Sequence, residues 1–208
     1  MSKFVVVEGL DGTGKTTQIK ILADYIESKG REVSITAEPT SHPAGKLIRR
    51  ILSGEVPCDP FALASLFLSD RIIHNTDKEN GIEKMLSDGK TVISDRYYYS
   101  TFAYQGHETD LKWAMDMHFS CEKIRKPDLV LFLTMSPEKC IERIRANRPD
   151  DAIEIYENTE SLTRISRQFD TVFEMLKDNE NIVYINADGT IDEVSERLFR
   201  AYDKYCGE

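Results

Sequence analysis

The sequence predicts an open α/β fold: a five-stranded parallel sheet covered by helices on both faces. Two observations carry this. Phe4–Val7, Glu32–Thr36, Thr91–Ser94, Leu129–Leu133 and Asn181–Ile185 are continuously apolar or β-branched rather than alternating, as strands buried on both faces are. Longer segments of helical pattern separate them, so strand and helix alternate along the chain, the order of an α/β sandwich.

The helix ends are legible one by one. Asp59-Pro60 and Ser136-Pro137-Glu138 each start a helix with proline at its first position. Thr190-Ile191-Asp192-Glu193 has the spacing of a capping box. Gly30, Gly54 and Gly89 follow helical runs and suit the position just past a helix end. The 208 residues suit one domain, and no internal repeat, low-complexity tract or linker divides them. Arg148 to Asn158 is acidic and without a clear period, which predicts a mobile lid over about residues 146–158.

Composition narrows the class of function. Apolar residues make up 40% and charged residues 30% of the chain, the balance of an ordinary globular protein. No apolar run approaches the ~20 residues that span a bilayer, and Phe4–Val7 is too short for a secretion signal. A cytoplasmic protein without membrane partners is expected. Cys58, Cys121, Cys140 and Cys206 are scattered, the pattern of reduced thiols rather than a disulfide framework. The four histidines show no close metal-ligand spacing, so no structural zinc is expected. A net charge of −9 argues against a nucleic-acid polymer, whose binding rests on many Lys and Arg contacts to phosphate. It leaves room for a small phosphorylated ligand met by a few local cations.

Gly9-Leu10-Asp11-Gly12-Thr13-Gly14-Lys15-Thr16 matches the Walker A pattern G-x-x-x-x-G-K-[ST], with Thr17 next in line. It follows an apolar strand and precedes an amphipathic helix, the context the motif requires. Backbone N–H groups of such a loop wrap a phosphate, and the helix N-terminus adds a favourable dipole. Lys15 would reach the β- and γ-phosphates of ATP, and the Thr16 hydroxyl would help hold Mg²⁺. The motif names the donor and not the acceptor. No Asn-Lys-x-Asp guanine signature accompanies it, which disfavours a regulatory GTPase.

On the acceptor side, Asp95 falls at the C-terminal end of an apolar strand, where open α/β sheets place their ligands. Its carboxylate can organise Mg²⁺ or orient an attacking phosphate, and Arg96 can neutralise transferring oxygens. A plain strand-end ion pair is the bland alternative. Tyr97-Tyr98-Tyr99 follows, a cluster able to flank an aromatic base, with one tyrosine expected to pack. Phe67, Arg71 and His74 share one helix face. Phe67 could stack on a base and Arg71 bind a phosphate or ring carbonyl; a core Phe beside a solvated Arg is the alternative. The run Phe61 to Leu68 is apolar almost all round and predicts a buried helix, in which Arg71 needs a partner.

Together these residues resemble the thymidylate kinases over nearly the whole chain. The pattern comprises Glu8 before the loop and Asp11 within it, Glu38-Pro39, then Phe67, Asp70, Arg71 and His74. It continues with Asp95-Arg96-Tyr97, Ser100, Ala103-Tyr104-Gln105-Gly106 and Lys126-Pro127-Asp128-Leu129. The short forms Glu-Pro-Thr and Tyr-Tyr-Tyr-Ser look most like the archaeal branch. The resemblance implies a three-layer P-loop kinase fold, phosphoryl transfer from ATP to thymidine monophosphate, and a homodimer through the second and third helices. It also implies roles: Phe67 on the thymine, Arg71 on a base carbonyl or the acceptor phosphate, Asp11 on the sugar 3′-hydroxyl and Arg96 on the acceptor phosphate. Glu38 belongs to the same site. Ser100, Thr101 and Gln105 would line the base edge, and Tyr104 would crowd the 2′ position.

Two departures from the family stand out. Gly12 stands where some members carry a catalytic arginine in the loop, so the lid must supply it, yet Ala152 stands where a lid arginine often precedes the apolar-Glu pair Ile153-Glu154. Arg145 and Arg148 remain; Arg148 is assigned the catalytic charge beside Lys15, Asp95 and Arg96, and Arg145 the adenine face, with Arg143 on the preceding helix. Ala37 stands where many members carry Arg, leaving the acceptor phosphate one cation poorer. Two rivals therefore stand: a kinase of another nucleoside monophosphate or of a deoxynucleoside, and a catalytically silent nucleotide-binding protein.

Overall fold

A computed structural model describes residues 2–147 and 158–207. Arg148, Ala152 and most of the expected lid lie outside the described residues.

The sheet consists of β1 (Phe4–Gly9), β2 (Val33–Ala37), β3 (Thr91–Asp95), β4 (Leu129–Thr134) and β5 (Ile182–Asn186), all parallel, in the order β2-β3-β1-β4-β5. Each apolar run forms the strand expected of it. The strands continue past the apolar run at their C-terminal ends, because the ladder pairs Gly9 with Leu133 and Asp95 with both Val7 and Ala37. Glu32 and Asn181 fall just outside, although their carbonyls still accept from Thr91 N and Val130 N.

Alternate side chains of these strands feed separate cores, which makes three layers. Phe4, Val6, Val92, Val130 and Phe132 pack toward α5 (Tyr98–Glu108), α6 (Leu111–Phe119), α7 (Pro137–Asn147) and α8 (Thr159–Leu176). Val5, Val7, Ile93, Leu131 and Ile185 pack toward α1 (Lys15–Ser28) and α9 (Ile191–Cys206). The capping box forms at the start of α9: Glu193 N donates to Thr190 Oγ1, and Thr190 N donates to Glu193 Oε2. Gly30, Gly54 and Gly89 take positive φ after helix ends. The remaining helices are α2 (Pro43–Leu52), α3 (Pro60–Thr76) and α4 (Ile82–Ser87).

The structure corrects the expectation for α3. Leu63 and Ala64 are buried, but Leu66, Phe67 and Leu68 are half-buried and Phe61 is 47% exposed. One side of α3 packs on α2 through Ile48, Ile51 and Leu63; composition shows that a helix is apolar but not which of its sides the chain covers. No helix among the described residues is long and apolar enough to cross a membrane.

The parallel sheet directs the loop after β1, the Glu38-Pro39 segment after β2 and the Asp95-Arg96 turn after β3 to one edge. That edge is where the candidate site lies.

Candidate active site

Two cavities adjoin there, sharing Asp11, Glu38 and Arg96 in their walls. The first, about 490 Å³, opens over Gly12, Gly14, Lys15, Thr16 and Thr17. Gly14 caps α1 in a left-handed conformation with no side-chain bond to the helix N-terminus, so the N–H groups there are presented to the cavity. Lys15 folds back over the loop, donating to the carbonyls of Gly9 (2.9 Å) and Leu10 (3.0 Å). Buried Leu10 and Thr13 shape the loop from within, the Thr13 hydroxyl donating to Leu10 O at 2.8 Å.

Thr16 and Asp95 both line this cavity and a third, of about 450 Å³. Asp95 Oδ1 is buried and has no hydrogen-bond partner among the described residues. An orphaned carboxylate oxygen and a threonine hydroxyl lining one cavity are donors of the kind a hard divalent cation takes, since it prefers oxygen ligands.

Gly12 explains its own departure from the family. Its φ is +85°, and a Cβ there would lie 2.4 Å from the backbone oxygen of Cys140 on α7. The loop is pressed against α7 too closely for any side chain. Arg143, one helical turn beyond Cys140, lines the same cavity, so the helix that precedes the expected lid itself brings a cation there. Arg145 is exposed in the last turn of α7.

The second cavity, about 210 Å³, is lined by Phe67, Arg71, Ser100, Tyr104 and Gln105 as expected residues, and by Pro39, Arg49 and Leu52 as additional ones. Arg96 enters with φ +70°, the left-handed region that a non-glycine residue takes only when its surroundings enforce it. The enforcing group is Glu8. Its buried Oε1 accepts from Tyr97 N (2.9 Å) and Ser100 N (3.1 Å), and its Oε2 accepts from the Ser100 hydroxyl (2.7 Å). This carboxylate caps α5, whose own N-cap, Tyr97, supplies no side-chain bond. Burial raises the Glu8 pKa, against the pull of Arg96.

Arg96 is then held on three sides. Nη1 donates to Ser100 Oγ (2.8 Å), Nη2 donates to Asp11 Oδ1 (2.6 Å), and the guanidinium lies 5.2 Å from the Tyr104 ring centre. Burial disfavours the Asp11 anion, but Arg96 and Lys15 outweigh it and hold the carboxyl well below its ordinary range.

Behind this cavity stands a buried ionic cluster. Glu38 Oε2 accepts from Arg71 Nε (2.8 Å) and Nη2 (2.5 Å), while Oε1 accepts from His74 Nδ1 (2.9 Å). Thr36 Oγ1 meets His74 Nε2 at 2.7 Å. Thr101, fully buried, accepts from Arg71 Nη2 at 3.1 Å and so stands behind the arginine. Asp70 accepts from Thr40 N and Oγ1 (2.7 and 2.6 Å), tying the loop after β2 to α3. Arg71 thus has its partner, and the solvated-Arg alternative fails.

Of the tyrosine cluster, in which one residue is expected to pack, Tyr97 lines the cavity. Tyr98 and Tyr99 turn into the core, where both hydroxyls donate to Glu180. Successive residues of a helix point in different directions, so a triplet cannot present one face. Arg49 was not legible as a site residue. It sits beside Arg50 on α2, and only the fold shows that Arg49 turns toward the cavity, donating to Pro39 O, while Arg50 pairs with Glu55. A cation missing at Ala37 is matched by one from α2.

Known proteins resemble this chain over nearly its whole length. A sequence model of the family described as "Thymidylate kinase" matches residues 7–198. A "Probable thymidylate kinase" of Thermococcus kodakarensis is 35% identical, over 99% of this chain and 99% of its own. One of Methanococcus aeolicus is also 35% identical, over 96% and 95%. A "Thymidylate kinase" of Caldicellulosiruptor saccharolyticus is 33% identical, over 97% and 96%.

The contact between Gly12 and Cys140 makes a prediction. Gly12→Arg, which restores the arginine some relatives carry in the loop, lowers the melting temperature and weakens ATP binding, because positive φ and overpacking cost about 1–3 kcal/mol. A variant as stable and active as the parent would show that α7 yields at Cys140.

Proposed function

This chain belongs to the thymidylate kinase family and phosphorylates thymidine monophosphate at the expense of ATP; we propose that the two adjoining cavities divide that work. The observation that carries the division is the pair of cavities meeting at Asp11 and Arg96. ATP lies with its phosphates over Lys15 and the start of α1, with Gly9 to Thr17 as the cradle. Mg²⁺ is held by Thr16 and Asp95, whose free oxygen supports the assignment; when bound it neutralises charge on the transferring phosphoryl group.

Thymidine monophosphate occupies the second cavity. Phe67 stacks on its base, with Ser100, Thr101 and Gln105 toward the base edge, Thr101 acting through Arg71. Arg71 meets a base carbonyl or the phosphate. Asp11 holds the 3′-hydroxyl and Tyr104 crowds the 2′ position, where a hydroxyl would lose water without gaining a partner. Arg96 takes the acceptor phosphate, exchanging one anion, Asp11, for another. An oxygen of that phosphate then forms a bond to the γ-phosphorus as the bond to the bridging oxygen of ADP breaks. The chain contributes alignment and fixed charge.

Arg148 supplies the remaining positive charge, with Arg143 as the second contributor already at the cavity wall and Arg145 toward adenine. A lid over about residues 146–158 excludes water that would hydrolyse ATP. The protein works as one domain in the cytoplasm, consistent with cysteines that are all free thiols. It forms a homodimer through α2 and α3, consistent with Phe61 and Ile73 exposed on α3.

Release of ADP with ATP, Mg²⁺ and each nucleoside monophosphate in turn tests the acceptor. Thymidine monophosphate is expected to be strongly preferred over ribonucleotides and over thymidine; preference for another acceptor overturns the assignment of the second cavity. For the donor side, Arg148→Ala is expected to lower kcat by about 10³-fold, the scale of a transition-state arginine, with ATP affinity little changed. An unchanged kcat in Arg148→Ala and a large loss in Arg143→Ala would transfer the role to α7.

A further inference from the structure

Arg71 is the most deeply buried cation of the acceptor side, at 1% exposure. Glu38 and Thr101 take its Nε and Nη2 hydrogens. Its Nη1 lies 2.5 Å from Nε2 of His118 in the last turn of α6. No motif drew attention to His118, and no role in the reaction described above uses it.

The tautomer follows from the partners. His118 Nδ1 lies 2.7 Å from the carbonyl oxygen of Ala114, which can only accept, so Nδ1 carries the hydrogen. Nε2 faces a guanidinium, which can only donate, so Nε2 must present its lone pair. A doubly protonated ring would set a cation against a cation. The ring is fully buried, edge-on to Phe102 at 5.2 Å. Burial first, and the Arg71 charge second, push its pKa down to about 3.

We propose that His118 is a positioning residue for the acceptor site: its neutral Nε2 accepts from Arg71 Nη1 and fixes the plane of the guanidinium. The second Nη1 hydrogen has no partner among the described residues, and Arg71 lines the acceptor cavity. His118 therefore decides where that hydrogen is offered to the nucleotide. Glu38 alone leaves the plane less constrained, because both its contacts to Arg71 converge on one oxygen, Oε2. The inference rests on the reading of Arg71 as a ligand of the acceptor.

Four measurements decide it. Long-range ¹H–¹⁵N spectra of the ¹⁵N-labelled parent protein report the tautomer of His118: Nδ1–H, staying neutral down to about pH 5. An Nε2–H tautomer or an imidazolium at neutral pH overturns the proposal. His118→Leu is expected to raise KM for thymidine monophosphate about tenfold or more, the loss of one hydrogen bond to a charged group, while KM for ATP stays unchanged. His118→Gln, whose Oε1 can stand near the position of Nε2, is expected to recover most of that loss. A glutamine no better than leucine means that the ring only fills space, and overturns the proposal, as does a leucine variant with the parent's KM. Where His118→Leu fails to melt cooperatively, the glutamine variant and the tautomer decide alone. Arg71→Lys separates the two layers of the argument. An unchanged KM for thymidine monophosphate there removes Arg71 from the acceptor site; a raised KM there with a normal His118→Leu removes His118 only.

Discussion

In the proposed reading, one buried carboxylate organises the acceptor side. Glu38 is 6% exposed and uses both oxygens, one for Arg71 and one for His74. A charge out of water is tolerated only when it is paired and hydrogen-bonded, and removing one partner of such a pair costs about 3–5 kcal/mol. That requirement draws distant parts of the chain to one point. Glu38 follows the last residue of β2, α3 brings Arg71 and His74, α5 brings Thr101 and α6 brings His118. The result is a rigid wall behind the cavity, with the Arg71 guanidinium as its charged face.

The phosphate side obeys a complementary rule. Glu8 is equally buried, but its ligands are the N–H groups that open α5 and the hydroxyl of Ser100, so the carboxylate holds a backbone turn rather than a cation. The turn forces Arg96 into its left-handed conformation and aims it at Asp11. Asp11 and Arg96 neutralise each other across the boundary of the two cavities. In the proposed reading that pair opens when a phosphate takes the arginine. A Cβ at Gly12 would lie 2.4 Å from the backbone oxygen of Cys140, so the loop and α7 are closely apposed.

Much of this was legible in the sequence because it depends on local pattern. Doubly covered parallel strands read as continuous apolar runs, proline and glycine mark helix ends, and the loop carries its own spacing. The need of Arg71 for a partner was legible too, since an arginine continuing an apolar helix cannot stay unpaired. What local pattern does not hold is which distant residue answers. Arg49 and Arg50 are neighbours on one helix, and only tertiary packing sends one to the cavity and the other to Glu55. The tyrosine cluster shows that packing is expected of one ring but not of which, and α5 turns two, Tyr98 and Tyr99, toward Glu180. His118 lies 47 residues from Arg71 and has no motif around it. Phe61 to Leu68 failed for the same reason: an apolar helix announces that it will be covered, but not by what.

If the Glu38 carboxylate holds the proposed acceptor site in shape and leaves the ATP site alone, its charge matters to one substrate only. Glu38→Gln keeps the volume and removes the charge, and steady-state kinetics with each substrate varied in turn measures the consequence. The expected result is a KM for thymidine monophosphate raised by about tenfold or more, with KM for ATP unchanged, because the bond lost is one to a buried charged group. A folded Glu38→Gln variant with the parent's KM for thymidine monophosphate would contradict it.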